Sequence, residues 1–99
     1  MKNNFNSIIN SNPIVLVDFF ADWCGPCKML GKILKEVKEE LGETIKIVKI
    51  NVDKNPISAN TYQVKGLPTM LLFKKGKQVW RHSGLLQKQD LIHAVKNHM

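Results

Sequence analysis

The stretch Ile14-Val-Leu-Val-Asp-Phe-Phe20, running into Ala21-Asp-Trp-Cys-Gly-Pro-Cys-Lys28, decides how the rest of the chain is read. Its first seven residues are β-branched, aliphatic or aromatic everywhere except Asp18, so neither face of the segment is polar. A half-buried strand would alternate; this pattern belongs to a central strand of a parallel sheet covered by helices on both sides. From Cys24 onward Met29, Leu30, Ile33, Leu34, Val37 and Leu41 recur at helical spacing, and Gly42 supplies the stop. The two cysteines therefore fall where a strand ends and a long helix begins.

Working outward, Phe5, Ile8 and Ile9 predict a short first helix that stops before Asn12-Pro13. Ile45 to Val52 predicts a second strand, and Asn55-Pro56 reads as N-cap and first residue of a short helix through about Tyr62. Thr69 to Phe73 and Gln78 to Ser83, joined by Lys-Lys-Gly-Lys, predict an antiparallel hairpin. Leu91, Ile92 and Val95 predict a closing helix. The order α β α β α β β α makes the first two strands parallel through a right-handed crossover and the last two antiparallel. The expected fold class is α/β: a three-layer α/β/α arrangement around a mixed four-stranded central sheet.

At 99 residues the chain has room for a single domain, residues 1–99, with no repeat, low-complexity tract or linker. Its longest apolar runs, Ile14 to Val17 and Met70 to Phe73, are far shorter than a membrane span. The N-terminus has no apolar core of a secretory signal, so a cytoplasmic, reducing compartment is the expectation. Fifteen Lys+Arg against eight Asp+Glu give a net charge of +7. Fourteen of the fifteen are lysines, spread along the chain, with only Arg81 suited to bidentate recognition. That argues against a base-reading protein; the expectation is a solvated basic surface, with no nucleic-acid and no membrane partner.

Two cysteines cannot make a disulfide framework, so their role is local chemistry. Residues three apart in a helical turn have Cα atoms about 5 Å apart, and a disulfide needs roughly 4.4 to 6.8 Å. Cys24 and Cys27 can thus close and open with little backbone movement. With Cys24 at the N-cap, its sulfur faces unpaired amides and the positive end of the helix, which favour thiolate. Cys24 is then the nucleophile. Cys27, one turn inside, is placed to attack a mixed disulfide and release reduced substrate. Gly25 and Pro26 set the loop between the sulfurs, and Pro26 fits a first turn whose amide has no helical partner. The competing readings are a zinc half-site and two inert core thiols. A second C-x-x-C is absent and His82, His93 and His98 stand at no familiar metal spacing, so no metal is expected.

Trp23-Cys-Gly-Pro-Cys-Lys28 resembles the active site of the thioredoxin family. Val17-Asp-Phe-Phe-Ala21, Lys49-Ile-Asn-Val-Asp53 with Asn55-Pro56, Gly66-Leu-Pro-Thr69 and Gly84 resemble family segments in the family's order, covering Ile14 to the C-terminus. The resemblance implies a thioredoxin-like fold and a reversible Cys24–Cys27 disulfide. It implies that Asp18 is a buried carboxylate that exchanges a proton with Cys27 and that Lys49 modulates it; a satisfied core acid paired to Lys49, and a snorkelling lysine, are the structural alternatives. Pro68 resembles the family's cis-proline facing the cysteines. Trp23, Gly66, Leu67, Pro68 and Gly84 would form the platform for protein substrates. No bound cofactor is implied; electrons would come from NADPH through a flavoprotein thioredoxin reductase.

The chain departs from the family pattern in four places. Lys32 stands where a helix-kinking proline is usual, Phe20 where tryptophan is common, and Ser83 where an apolar residue is common. The N-terminus is short, so the family's first edge strand is expected to be missing. Lys28, Lys32 and Lys35 form one helix stripe beginning beside the cysteines, expected to steer acidic protein targets toward Cys24. The functional expectation is a monomeric protein-disulfide reductase. A disulfide oxidant or isomerase is the first alternative, although Gly25-Pro26 lacks the histidine that would favour it. A binding module or holdase that uses the fold without redox chemistry is the second.

Overall fold

The computed structural model describes residues 4–99. The elements run α1 (Asn4–Ile9), β1 (Ile14–Phe20), α2 (Gly25–Leu41), a 3-10 turn at Gly42–Thr44, β2 (Lys46–Asn51), α3 (Pro56–Thr61), β3 (Thr69–Lys74), β4 (Lys77–Ser83) and α4 (Lys88–Asn97). The four strands form one sheet in the order β2-β1-β3-β4. β1 pairs parallel with β2 and antiparallel with β3, and β3 pairs antiparallel with β4. This is the mixed sheet the sequence predicts, with each element within a residue or two of its expected ends.

The unbroken apolar run makes β1 central: Ile14 to Phe19 are all buried, Asp18 included. Side chains alternate across the sheet. Ile14 and Leu16 point to one face, where Leu30, Leu34, Val37 and Leu41 of α2 and Leu91, Ile92 and Val95 of α4 cover them. Val15, Val17 and Phe19 point to the other, under Ile9 of α1 and with Phe5, Tyr62 and Val64 packed alongside. There Phe5 lies 6.2 Å from Phe19 in a stacked pair, 4.9 Å from Tyr62 in a tilted one and 5.9 Å from Phe73 edge-on.

α2 is continuous over 17 residues with Lys32 exposed on its surface, so it accepts a lysine at that point without a break. Its last turn is closed by Lys38, whose Nζ donates to the carbonyls of Gly42 at 2.9 Å and Ile45 at 2.6 Å. Gly42 takes φ 58°, as the C-terminal stop requires. At the opposite end of the sheet from the cysteines, the β3–β4 turn has Lys75 at φ 52° and Gly76 at φ 82°, the left-handed pair of a tight hairpin. A Cβ on Gly76 would collide with the Asn10 side chain, and the Lys75 amide donates to Pro13 O at 2.8 Å. The hairpin tip is thereby packed onto the end of α1. None of the described helices is long and apolar enough to cross a membrane.

Candidate active site

The parallel β1–β2 pair delivers both chain segments of the site to one end of the sheet. After Phe20 the chain turns through Ala21, whose carbonyl accepts from the Cys24 amide at 3.1 Å, and enters α2. Cys24 is the N-cap, extended at φ −91° and ψ 110°, and the Cys27 amide donates to its sulfur at 3.2 Å. One otherwise unpaired amide of the first turn is thus aimed at Sγ, an arrangement that favours a negative sulfur once the pair is reduced. Pro26 occupies the first turn. The two cysteines are joined as a disulfide with Cα atoms 5.3 Å apart, the separation expected for residues one helical turn apart.

The pair is asymmetric toward the surface. Cys24 is 5% exposed and Cys27 2%, and Ala21, Phe20, Val52 and Leu67 pack against them. A shallow groove crosses this end of the molecule, lined by Trp23, Cys24, Gly25, Pro26, Val52, Val64, Lys65 and Leu67. Cys24 reaches it and Cys27 does not. Trp23 is 70% exposed, an unusual state for so large an apolar ring, and its indole Nε1 donates to Asp53 Oδ2 at 2.8 Å. That bond fixes the ring as a standing wall rather than letting it fold onto the surface.

The Leu67–Pro68 bond is cis, and Pro68 is buried. Of the expected platform residues, Trp23 and Leu67 line the groove and Gly66, Pro68 and Gly84 do not. Gly84 lies behind it, at φ 103°, and its amide donates to Pro68 O at 2.7 Å. Gly66 accepts from Thr69 Oγ1 at 2.7 Å, and that hydroxyl also meets Ser83 Oγ at 2.9 Å. Ser83 thus ties β4 to the head of β3, which gives a physical use to a polar residue where an apolar one is common.

Asp18 lies on the α2 face of β1, the helix that carries Cys27, and is fully buried. Neither carboxylate oxygen has a hydrogen-bond partner among the described residues. Burial pushes its carboxyl up to about 6, and the charge of Lys49 pulls the other way. Lys49 is its register partner on β2. Yet the two are not joined: the ammonium sits over the Phe20 ring, 4.8 Å from its centre. It also passes close to Gly31, where a Cβ would stand 3.3 Å from Nζ. The core-pairing alternative for Asp18 is therefore not what forms; Lys49 acts on it through space and rests on an aromatic face. Among the described residues no three His, Cys, Asp or Glu side chains gather where a metal could bind.

Four groove or support residues were not singled out in the sequence: Val52, Val64, Lys65 and Asp53. Only Lys49-Ile-Asn-Val-Asp53 carried a signal, since it closes a strand that must run parallel to β1 and so ends beside Cys24. A further contact had none. Arg81 of β4 sends Nη1 to Tyr62 O at 2.6 Å and Nη2 to Gln63 O at 2.9 Å, at the end of α3.

Comparison with known proteins agrees with this geometry. The family model described as Thioredoxin matches residues 1–97. Thioredoxin of Chlamydia caviae is 46% identical over 95 residues, covering 96% of this chain and 91% of that protein. Thioredoxin of Rickettsia typhi is 45% identical over 87 residues, covering 88% and 83%. The oxidised mitochondrial thioredoxin 3 of Saccharomyces cerevisiae has the same fold at TM-score 0.89 and 30% identity, over 97% of this chain and 89% of that one. The family match over nearly the whole chain, together with a disulfide whose first cysteine caps α2 beside the groove, makes the chain a member of the thioredoxin family and a thiol-disulfide oxidoreductase that reduces protein disulfides.

Proposed function

We propose that the chain is a cytoplasmic electron donor to protein disulfides, working as a monomer and recharged by NADPH through a flavoprotein thioredoxin reductase. The observation that carries this reading is the asymmetry of the sulfurs: Cys24 lines the groove and Cys27 lies behind it. A substrate segment lies between Trp23 and Leu67, with its backbone against the residue before Pro68. The Cys24 thiolate attacks one substrate sulfur, forms a mixed disulfide and expels the other substrate sulfur as a thiolate, which takes up a proton. Cys27 then gives its proton to the Asp18 carboxylate by way of water and attacks Cys24 Sγ. This releases the second substrate thiol and closes the Cys24–Cys27 disulfide. Two electrons pass from the pair to the substrate, and the reductase returns them.

An acid with its pKa near 6 suits the proton step, because it is a carboxylate at neutral pH but still a competent base for a thiol. The deciding experiment is the reduction potential of the Cys24–Cys27 pair by equilibration with glutathione, together with insulin reduction coupled to NADPH and thioredoxin reductase. A potential below the cytosolic glutathione poise with NADPH-dependent turnover is expected. A potential above that poise would assign the chain to oxidants or isomerases, since about 30 mV is a tenfold change for two electrons. A low potential without turnover would point to a binding role.

A further inference from the structure

α3 ends without its usual glycine. Gln63 N–H bonds to Asn60 O at 3.0 Å and Val64 N–H to Ala59 O at 2.9 Å, the paired closure of a Schellman turn, with Gln63 itself at φ 54°. The carbonyls of Tyr62 and Gln63 then have no helical amide ahead of them. Arg81 supplies donors to both, one guanidinium nitrogen to each. It is the one arginine among fifteen cationic residues, and its planar fork gives each carbonyl its own nitrogen, where a lysine such as Lys38 must share one ammonium between two.

The groove wall starts with the next residue. Val64, Lys65 and Leu67 line the groove, and Arg81 does not. β4 and the residue after it hold this wall at both ends: Arg81 grips the carbonyls just before it, and the Gly84 amide grips Pro68 O just after it at 2.7 Å. We propose that Arg81 is a positioning residue for substrate binding, which sets the wall Val64–Leu67 against Trp23 and Cys24 and so governs affinity for an extended protein segment. The chemistry of the sulfurs, carried by β1 and α2, does not pass through it. The inference rests on the groove being the surface on which protein substrates lie.

The test uses the full chain with Arg81→Ala and Arg81→Lys. It measures kcat and KM for insulin in the coupled assay, the rate with a small aromatic disulfide too short to span the groove, the reduction potential and the melting temperature. For Arg81→Ala the KM for insulin is expected to rise about three- to tenfold with kcat nearly held. The loss on insulin should exceed the loss on the small disulfide at least about threefold, with the potential unmoved. Arg81→Lys should raise the KM for insulin in the same direction but by less than Arg81→Ala, because one ammonium must share its donors between the two carbonyls. Gln63→Gly in the Arg81→Ala background should recover part of the KM, because glycine holds the left-handed turn unaided. Equal losses on both substrates in step with a lowered melting temperature, or an unchanged KM for insulin, would overturn the proposal. If Arg81→Ala does not fold, Arg81→Lys decides by the same readings. Trp23→Ala and Leu67→Ala separate the two levels: if neither raises the KM for insulin, the groove reading fails. If they raise it and the Arg81 variants do not, only the role of Arg81 fails.

Discussion

The two faces of the sheet are cut from the same strands and are filled differently. Under α1 and α3 lie Val15, Val17, Phe19, Leu71 and Phe73 with Phe5 and Tyr62, an apolar and aromatic packing that serves stability. Under α2 and α4 lie Leu16, Met70, Leu72 and the helix leucines, but Asp18 is set among them with no hydrogen-bond partner among the described residues. A carboxyl raised from 3.8 to about 6 by burial costs about 3 kcal/mol of stability once it is ionised. The destabilising group sits on the face that holds the cysteine helix. The other face carries no such cost, so one small core holds both a tightly packed apolar face and a buried acid.

The comparison can be broken in a graded series. Cys24→Ser should abolish insulin reduction altogether while leaving the denaturation midpoint close to that of the reduced parent; residual turnover would mean that Cys27 can attack by itself. On the aromatic face, Phe73→Ala should cost about 3 to 5 kcal/mol in urea unfolding, with the reduction potential unchanged. A shift in potential would show that the two faces are coupled. Asp18→Asn should act in the opposite direction and depend on pH. Below about pH 4 the acid is protonated in folded and unfolded chains alike, so the variant gains nothing. As pH rises from about 4 to 6 only the unfolded acid ionises, wild-type stability falls, and above about pH 6 the variant should be more stable by about 2 to 3 kcal/mol. Its resolution of the mixed disulfide should slow above about pH 6, where wild-type Asp18 is the carboxylate that takes the proton, read by stopped-flow tryptophan fluorescence. A pH-independent gain would remove Asp18 from the proton step. The smallest effect belongs to the outer surface of α2: turnover of an acidic protein disulfide should fall several-fold as salt rises from about 0.01 to 0.5 M, while that of a neutral one holds. Replacing Lys28, Lys32 and Lys35 by glutamine should flatten the salt curve.

β1 and α2 were legible because their patterns are local: an apolar run with one acid, and a six-position helical stripe ending at a glycine. The hairpin was legible from its glycine, and the N-cap position of Cys24 from the strand-to-helix boundary. What the sequence concealed are contacts whose partners lie far apart along the chain. Nothing in Gln78 to Ser83 marks Arg81 as a cap for a helix that ends 20 positions earlier. Lys49 and Asp18 stand opposite each other in register, yet the ammonium rests over the Phe20 ring, close to Gly31. The groove was half visible: Trp23 and Leu67 line it, whereas Val52, Val64 and Lys65 enter only once the sheet order is known.

The packing of Asn10 on Gly76, with the Lys75 amide bonded to Pro13, joins the first helix to a hairpin tip more than 60 positions away. Two segments so coupled cannot open one at a time. In deuterium exchange the amides of α1 and of the β3–β4 turn should lose protection together, as one cooperative unit, at a free energy below that of the central strands. The thiol end of the sheet would stay closed while the far end breathes.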